Sequence, residues 1–285
     1  MRIVNKLKNM DRRQKVRYGL MVLGILALAP PIGFLAQAFG GSEFCGPLCP
    51  RMAIGFDFPR ELASRTTGVG LLFTWLGVTF FFGRWICSHF CPAGGLTEFA
   101  SKLLPRRAKI DFCRIVDAPL FRYGFLFAFI LLPVFGIASI CCAYCNIRTI
   151  PQAFGAIFTP GSRAMFTTGI SVASVIMYVL LLGIFSRDGR GHCHLLCPIG
   201  ALDTIANYIG AKLPFTRRTR IVPEKCPGCG LCVKECPTWA ISIVEQGQGK
   251  KVAKIDYHRC NQCRICEAKC PKDAITYGLG SVAKG

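Results

Sequence analysis

The sequence predicts a membrane α-helical domain of four spans, built as two repeated two-helix units, followed by a small α+β domain. Three observations predict it. The chain of 285 residues is 52% hydrophobic with a mean hydropathy of +0.42, values of the membrane class. Four stretches, 18–41, 66–83, 123–147 and 164–186, carry no charge, and a spanning helix needs about 17–25 apolar residues. Sixteen of the 18 cysteines fall into four sets of four, two of them in tight runs near the C-terminal end. The expected division is 1–213 for the membrane domain and 214–285 for the α+β domain, with the Pro- and Arg-rich stretch 213–225 joining them.

The first span follows a basic leader containing Arg12, Arg13, Lys15 and Arg17, and Pro30-Pro31 interrupt it. Leader, apolar run and Ala27-Leu28-Ala29 resemble a secretory signal. The apolar run continues past that site and Pro30 would follow the cut, which favours an uncleaved span. The second span is the shortest, and Pro133 interrupts the third. Basic residues crowd the leader, the loop between spans two and three (Arg84, Lys102, Arg106, Arg107, Lys109, Arg114 and Arg122) and the tail after span four. The positive-inside rule then puts both termini and the middle loop in the cytoplasm of a bacterium, with the chain in its inner membrane. The net charge of +20 follows from this topology and from attraction to anionic membrane lipids rather than from nucleic-acid binding.

The chain repeats at two scales. Gly83-Arg84-Trp85-Ile86-Cys87-Ser88-His89-Phe90-Cys91-Pro92 matches Gly189-Arg190-Gly191-His192-Cys193-His194-Leu195-Leu196-Cys197-Pro198, each copy following an even-numbered span. The odd-numbered spans end on Cys45-x3-Cys49 and on Cys141-Cys142-x2-Cys145. Near the C-terminal end Cys236-Pro-Thr-Trp-Ala-Ile pairs with Cys270-Pro-Lys-Asp-Ala-Ile, and 241–245 and 252–257 flank a Gly-rich turn, a hairpin signal.

The two tight runs are Cys226-x2-Cys229-x2-Cys232-x3-Cys236-Pro237 and Cys260-x2-Cys263-x2-Cys266-x3-Cys270-Pro271. This is the doubled bacterial ferredoxin pattern, whose thiolates hold [4Fe–4S] clusters and whose fourth cysteine serves the other run's cluster. Cys226, Cys229, Cys232 and Cys270 are expected to hold one cluster, and Cys260, Cys263, Cys266 and Cys236 the second. Zinc sites pair two Cys-x2-Cys knuckles instead of eight thiols at this spacing. Cys87, Cys91, Cys193 and Cys197 form an inner set for a third cluster, the alternative being paired structural thiols. Cys91 and Cys197 each precede proline, so each is expected to cap a helix starting at Pro92 or Pro198, whose free N–H groups suit an anionic cluster. The second such helix sets Leu202, Ile205, Ala206, Ile209 and Leu213 on one amphipathic, interfacial face. Cys45, Cys49, Cys141 and Cys145 form an outer set for a fourth cluster, with Cys142 able to replace Cys141; on an oxidising face two disulfides are the alternative. Cys113 has no assigned role. None of the four histidines lies in a span and no Cys-x2-Cys-His occurs, which argues against membrane and c-type haem. His89 and His194 sit inside the inner motifs, either donating to cluster sulfur, handling a quinol proton, or lying there as ordinary side chains.

At these residues the chain resembles the NapH/MauN family of ferredoxin-type membrane proteins. The likeness is carried by Arg84-x2-Cys87-x3-Cys91-Pro92, Cys193-x3-Cys197-Pro198-x-Gly200-Ala201-Leu202 and the doubled ferredoxin run. It implies a quinol dehydrogenase component passing electrons between quinone and a partner iron–sulfur or cytochrome c protein. The sequence itself is expected to carry no catalytic residue that makes or breaks substrate bonds. The outer cysteines depart from the nitrate-reductase members and imply electrons crossing through the chain. The alternatives are a reductase in the metal-centre maturation of a respiratory enzyme and a redox-sensing membrane regulator.

Overall fold

The computed structural model describes residues 11–28, 66–112, 116, 118–131, 135, 156–157, 160, 163, 169–246 and 249–280. Its helical half begins with α1 (Arg12–Leu28), α2 (Thr66–Phe82) and the short α3 (Trp85–His89). It continues through α4 (Pro92–Leu103), α5 (Ala118–Leu131) and α6 (Gly169–Ser174). A π-helical stretch, Val175–Ile184, extends α6 and leads to α7 (Gly191–Leu195) and α8 (Pro198–Ala211). The repeat is visible in this order. In each copy a long helix leads to a positive-φ glycine: Gly83 (φ 80°) directly after α2, and Gly189 (φ 77°) after a further 3₁₀ turn, Arg187–Gly189. A one-turn helix carrying the first cysteine follows, and then a helix whose N-cap is the second cysteine, Cys91 or Cys197, with proline at its first position. The proline-led helix starts are those expected from the sequence. A parallel bridge between Ile110 and Ser186 joins the copies.

The expectation of four membrane-crossing helices is corrected. Among the described residues no helix is long and apolar enough to cross a membrane. α1 and α2 have 17 residues each and α5 has 14, or about 21–26 Å at 1.5 Å per residue against a ~30 Å hydrocarbon core. α1 also spends its first turns on Arg12, Arg13, Lys15 and Arg17, ahead of the apolar run expected at 18–41. With the spans goes the assignment to an inner membrane with both termini cytoplasmic. Three of the basic residues in that topology, Arg17, Arg84 and Arg122, expected to face water or lipid, are instead 1%, 2% and 1% exposed. The apolar face expected on α8 lies on its outer side, and its inner side is polar. Ile205 and Ile209 are exposed, while Asp203, Thr204 and Asn207 are fully buried.

The ferredoxin-like part is an α+β unit: β1 (Arg218–Ile221), α9 (Leu231–Glu235), β2 (Ile241–Gln246), β3 (Lys250–Ile255), α10 (Ile265–Ala268) and β4 (Ile275–Gly278). β1 pairs with β4 and β2 with β3, both antiparallel, with Ile241 opposite Ile255 and Val244 opposite Val252. The β2–β3 hairpin is the one expected from the Gly-rich turn. Its core is small: Ala240, Ile241, Val252, Ala253, Ala274 and Ile275 surround the cysteines. The two halves are tied together. Three backbone carbonyls at the end of α2, those of Thr79, Phe80 and Phe81, accept from the buried Arg218 guanidinium (2.8–3.1 Å). Carbonyls of a helix's last turn lack most of their intrahelical donors, and Arg218 supplies one here.

Candidate iron–sulfur sites

The ferredoxin part holds two cavities. One is lined by Cys226, Cys229, Cys232 and Cys270. The other is lined by Cys260, Cys263, Cys266 and Cys236. Each wall thus takes three cysteines from one run and the fourth from the other. The runs also match in backbone. Gly228 and Gly230 in the first, and Gln262 and Arg264 in the second, all have φ between 55° and 75°. A left-handed conformation is costly for Gln and Arg, so the cysteine loop over-determines it. The fourth cysteines match too. Ala240 N–H donates to Cys236 Sγ (3.4 Å) and Ala274 N–H to Cys270 Sγ (3.3 Å). Ala253 N–H, from the hairpin, reaches Cys226 Sγ at 3.4 Å. In the second cavity the Asn261 amide is 3% exposed and has no hydrogen-bond partner. Such donors suit sulfur atoms that carry negative charge.

The inner set also comes together, across the repeat. Gly94, three residues after Cys91, packs so closely on the other copy that an added Cβ would lie 3.1 Å from Arg190 Nη1 and 3.5 Å from Cys193 Sγ. Its repeat mate Gly200 would set a Cβ 3.3 Å from Arg84 Nη2. All four cysteines are half-buried, and Cys197 Sγ accepts from Gly200 N–H at 3.3 Å. Burial, with Cys91 and Cys197 nearby, pushes the Cys193 thiol up to about 12 despite Arg190. Cys87 rises for burial and for its contact with Asp203, to which its thiol donates at 2.9 Å. Iron binding replaces such protons.

Around this set lies a buried ionic network that the sequence analysis missed. Each repeat's arginine pairs with the acid of the other repeat. Arg190 donates to Glu98 (2.8 Å), and Arg84 lies 3.8 Å from Asp203. Glu98 also takes Arg17 (2.7 Å), Lys102 (3.0 Å) and the Tyr18 hydroxyl (3.2 Å). Burial alone would raise its pKa, but Arg17 and Arg190 outweigh it and hold the carboxyl below the ordinary value. The outer arginines are related by the same two-fold. Arg17 Nε donates to the Ser88 carbonyl, and Arg122 Nε to that of the repeat-equivalent His194. Their second contacts also correspond, to Glu98 for Arg17 and to Thr204 for Arg122. The available signal was Arg-Tyr-Gly at 17–19 and again at 122–124. After these bonds, buried N–H groups of Arg17, Arg84 and Arg190 remain without partners. Such donors, beside glycines that leave room at the cysteines, fit an anionic cluster.

His89 and His194 take defined places. His89 stacks on Trp85, and burial lowers its pKa to about 4. His194 Nδ1 accepts from Arg122 Nη2 at 2.8 Å, and burial beside that cation keeps its ring neutral. Cys45, Cys49, Cys141, Cys145, Cys142 and Cys113 lie outside the described residues. Among those described, no group of three or more His, Cys, Asp or Glu is arranged to hold a single metal ion. A cubane, each of whose thiolates holds a different iron, does not need such convergence.

Known proteins show the same parts. Residues 64–111 and 170–216 each match the family described as 4Fe-4S binding domain, and residues 225–274 match the 4Fe-4S dicluster domain. The methylamine utilization ferredoxin-type protein MauN of Methylobacillus flagellatus is 27% identical over 76% of this chain and 72% of its own length. The uncharacterized protein MJ0749 of Methanocaldococcus jannaschii is 24% identical over 70% of this chain and 66% of its own. YccM of Escherichia coli (strain K12), provisionally described as an electron transport protein, is 27% identical over 59% of this chain and 45% of its own. Matched cysteine sites and relatives together define an iron–sulfur protein of the ferredoxin type, working in electron transfer. Within that class the chain belongs to the MauN/NapH-like ferredoxin-type proteins.

Proposed function

We propose that the chain is a one-electron relay in which three cysteine sets act in line: the inner set of the helical half, then the second ferredoxin cavity, then the first. Bound there, [4Fe–4S] clusters take and give single electrons. In this reading Cys87, Cys91, Cys193 and Cys197 hold one. Cys260, Cys263, Cys266 and Cys236 hold the next, and Cys226, Cys229, Cys232 and Cys270 the last. The observation that carries the order is the seam between the halves. Asn207 of α8 donates to the carbonyls of Tyr257 and Cys260 (2.7 and 3.2 Å). Gln14 of α1 donates to the carbonyl of Cys263 (3.3 Å), and Arg122 to that of His258 (3.0 Å). So the second cavity faces the inner set, while the first opens outward at the exposed Cys229.

The residues' part is to bind, orient and shield. Pro92 and Pro198 fix the helix starts that present Cys91 and Cys197. The swapped arginine–acid pairs hold the two copies together around the site. Partner redox proteins would meet the chain at the Cys229 face and at the helical end. In anaerobically purified protein, Cys91→Ser and Cys197→Ser are expected each to lose about four iron atoms and the same paramagnetic resonance signal. Loss of no iron in either variant would show that the inner cysteines are structural thiols.

A further inference from the structure

The three sites differ in the charge built around them. At the inner set, four guanidinium groups, those of Arg17, Arg84, Arg122 and Arg190, are 1–2% exposed. Arg17 and Arg190 share the buried Glu98, and Arg84 faces the buried Asp203. Arg122 meets no carboxylate among the described residues, donating to Thr204 and His194. Unpartnered buried N–H groups remain on Arg17, Arg84 and Arg190, and two helix N-termini, capped by Cys91 and Cys197, add partial positive charge. At the second ferredoxin cavity fewer buried cations act. Arg264 lines the wall but is partly exposed and paired with Glu267. The fully buried Arg218 guanidinium bears on Cys260 while donating to the carbonyls of Thr79, Phe80 and Phe81. Arg84 and Arg17 bear on Cys260 and Cys263 from the neighbouring half. At the first cavity the nearby cations are exposed lysines such as Lys225, Lys251 and Lys272, whose effect water and salt screen. Buried positive charge therefore falls stepwise along the relay.

A cluster gains one unit of negative charge when reduced, so unscreened positive charge raises its reduction potential. We propose that the inner set is the high-potential end of the relay, held there by the buried guanidinium groups of Arg84 and Arg190, and that electrons run from the ferredoxin domain into the helical half. The inference rests on the cluster assignment above. In each step one electron leaves a reduced donor protein at the Cys229 face and one arrives at an oxidised acceptor at the helical end. No bond is made and no proton is required. Arg84 and Arg190 act as positioning and charge-setting residues, each reaching the cysteines of both repeats.

The experiment is a potentiometric titration of the full-length, anaerobically purified protein, followed by paramagnetic resonance, with iron and sulfide measured on each sample. The signal lost in Cys91→Ser identifies the inner site. That signal is expected to appear first on stepwise reduction. Arg84→Met and Arg190→Met are each expected to make the site at least tenfold harder to reduce, about 59 mV for one electron, while Arg84→Lys restores most of the shift. Asp203→Asn, which removes a buried negative charge, is expected to move the midpoint upward. This opposite sign separates charge from simple disturbance and keeps the test alive if the methionine variants fail to load iron. A fully loaded protein whose inner signal appears last, or whose midpoint is unmoved by Asp203→Asn, would overturn the inference and leave the three-cluster assignment standing. Absence of an inner signal in iron-replete parent protein would overturn both.

Discussion

Replacing Glu98 with glutamine tests whether the ionic network is structural. Glu98 is fully buried and accepts from Arg17 at 2.7 Å, Arg190 at 2.8 Å and Lys102 at 3.0 Å. Lys102 is partly exposed and can turn to water; Arg17 and Arg190 cannot. Removing one partner of a buried ion pair costs about 3–5 kcal/mol, because the other charge stays behind. Glutamine keeps the shape and one acceptor oxygen, so the lower end, about 3 kcal/mol, is expected. With a denaturant slope of about 1–3 kcal/mol per molar urea, the midpoint should fall by about 1–3 M. The assay is anaerobic urea unfolding of the cluster-loaded protein, followed by fluorescence, with Trp85 beside the network, and by cluster absorbance. The pH dependence supplies a sign. The folded-state pKa of Glu98 lies below its ordinary 4.5, so the unfolded chain takes up the proton first as pH falls. The stabilisation is complete above that value and is lost below it. Parent and variant should therefore differ by a constant amount from pH 7 to 5 and converge in stronger acid. A variant within about 0.5 kcal/mol of the parent at pH 7, the range of an ordinary surface change, would refute the reasoning.

Other outcomes follow from the same geometry. Cys236→Ser should abolish the signal that Cys260→Ser abolishes, and Cys270→Ser that of Cys226→Ser, although each fourth cysteine lies in the other run; paramagnetic resonance of the four variants checks the crossing. Gly200→Ala would set a methyl 3.0 Å from the Cys193 carbonyl and 3.2 Å from Cys197 Cβ, crowding two inner cysteines, and iron analysis should show about four atoms lost from the helical half, with both ferredoxin signals kept. Asn207→Ala leaves the carbonyls of Tyr257 and Cys260 without their donor, a cost of about 1–3 kcal/mol per buried group, and hydrogen exchange at 257–263 should quicken.

What was legible in the sequence was mostly local. Proline after Cys91 and Cys197 fixes a helix start within one turn, and the β2–β3 hairpin follows from alternation around glycines. The ferredoxin cysteines announce their cavities by spacing alone. The helical half misled because its information is non-local. Arg17, Arg84 and Arg122 look like loop charges until their partners, between 71 and 136 residues away, are known. Uncharged runs read as membrane spans, but α1 starts in its basic leader, and α6 passes into a π-helical stretch. On α8 apolar periodicity marked the exposed side, because the buried side is made of Asp203, Thr204 and Asn207.

The exchange of partners between repeats bears on how the inner site can form. Each copy supplies two cysteines, one arginine beside them and a proline-led helix, but the counter-charge for its arginine comes from the other copy: Asp203 for Arg84 and Glu98 for Arg190. A copy folded by itself would bury a guanidinium with no carboxylate, at a cost of several kcal/mol, and would offer a cluster only two ligands. The ion pairs and the ligand set are therefore completed by the same event, the docking of one repeat on the other. The glycines at 94 and 200 permit that approach, since each lies where the opposite copy's arginine passes. The site and the interface that makes it are thus one structure. α8, which Cys197 caps, also carries Asn207, whose amide holds the carbonyls of Tyr257 and Cys260, so docking the two repeats places α8 against the second ferredoxin cavity as well.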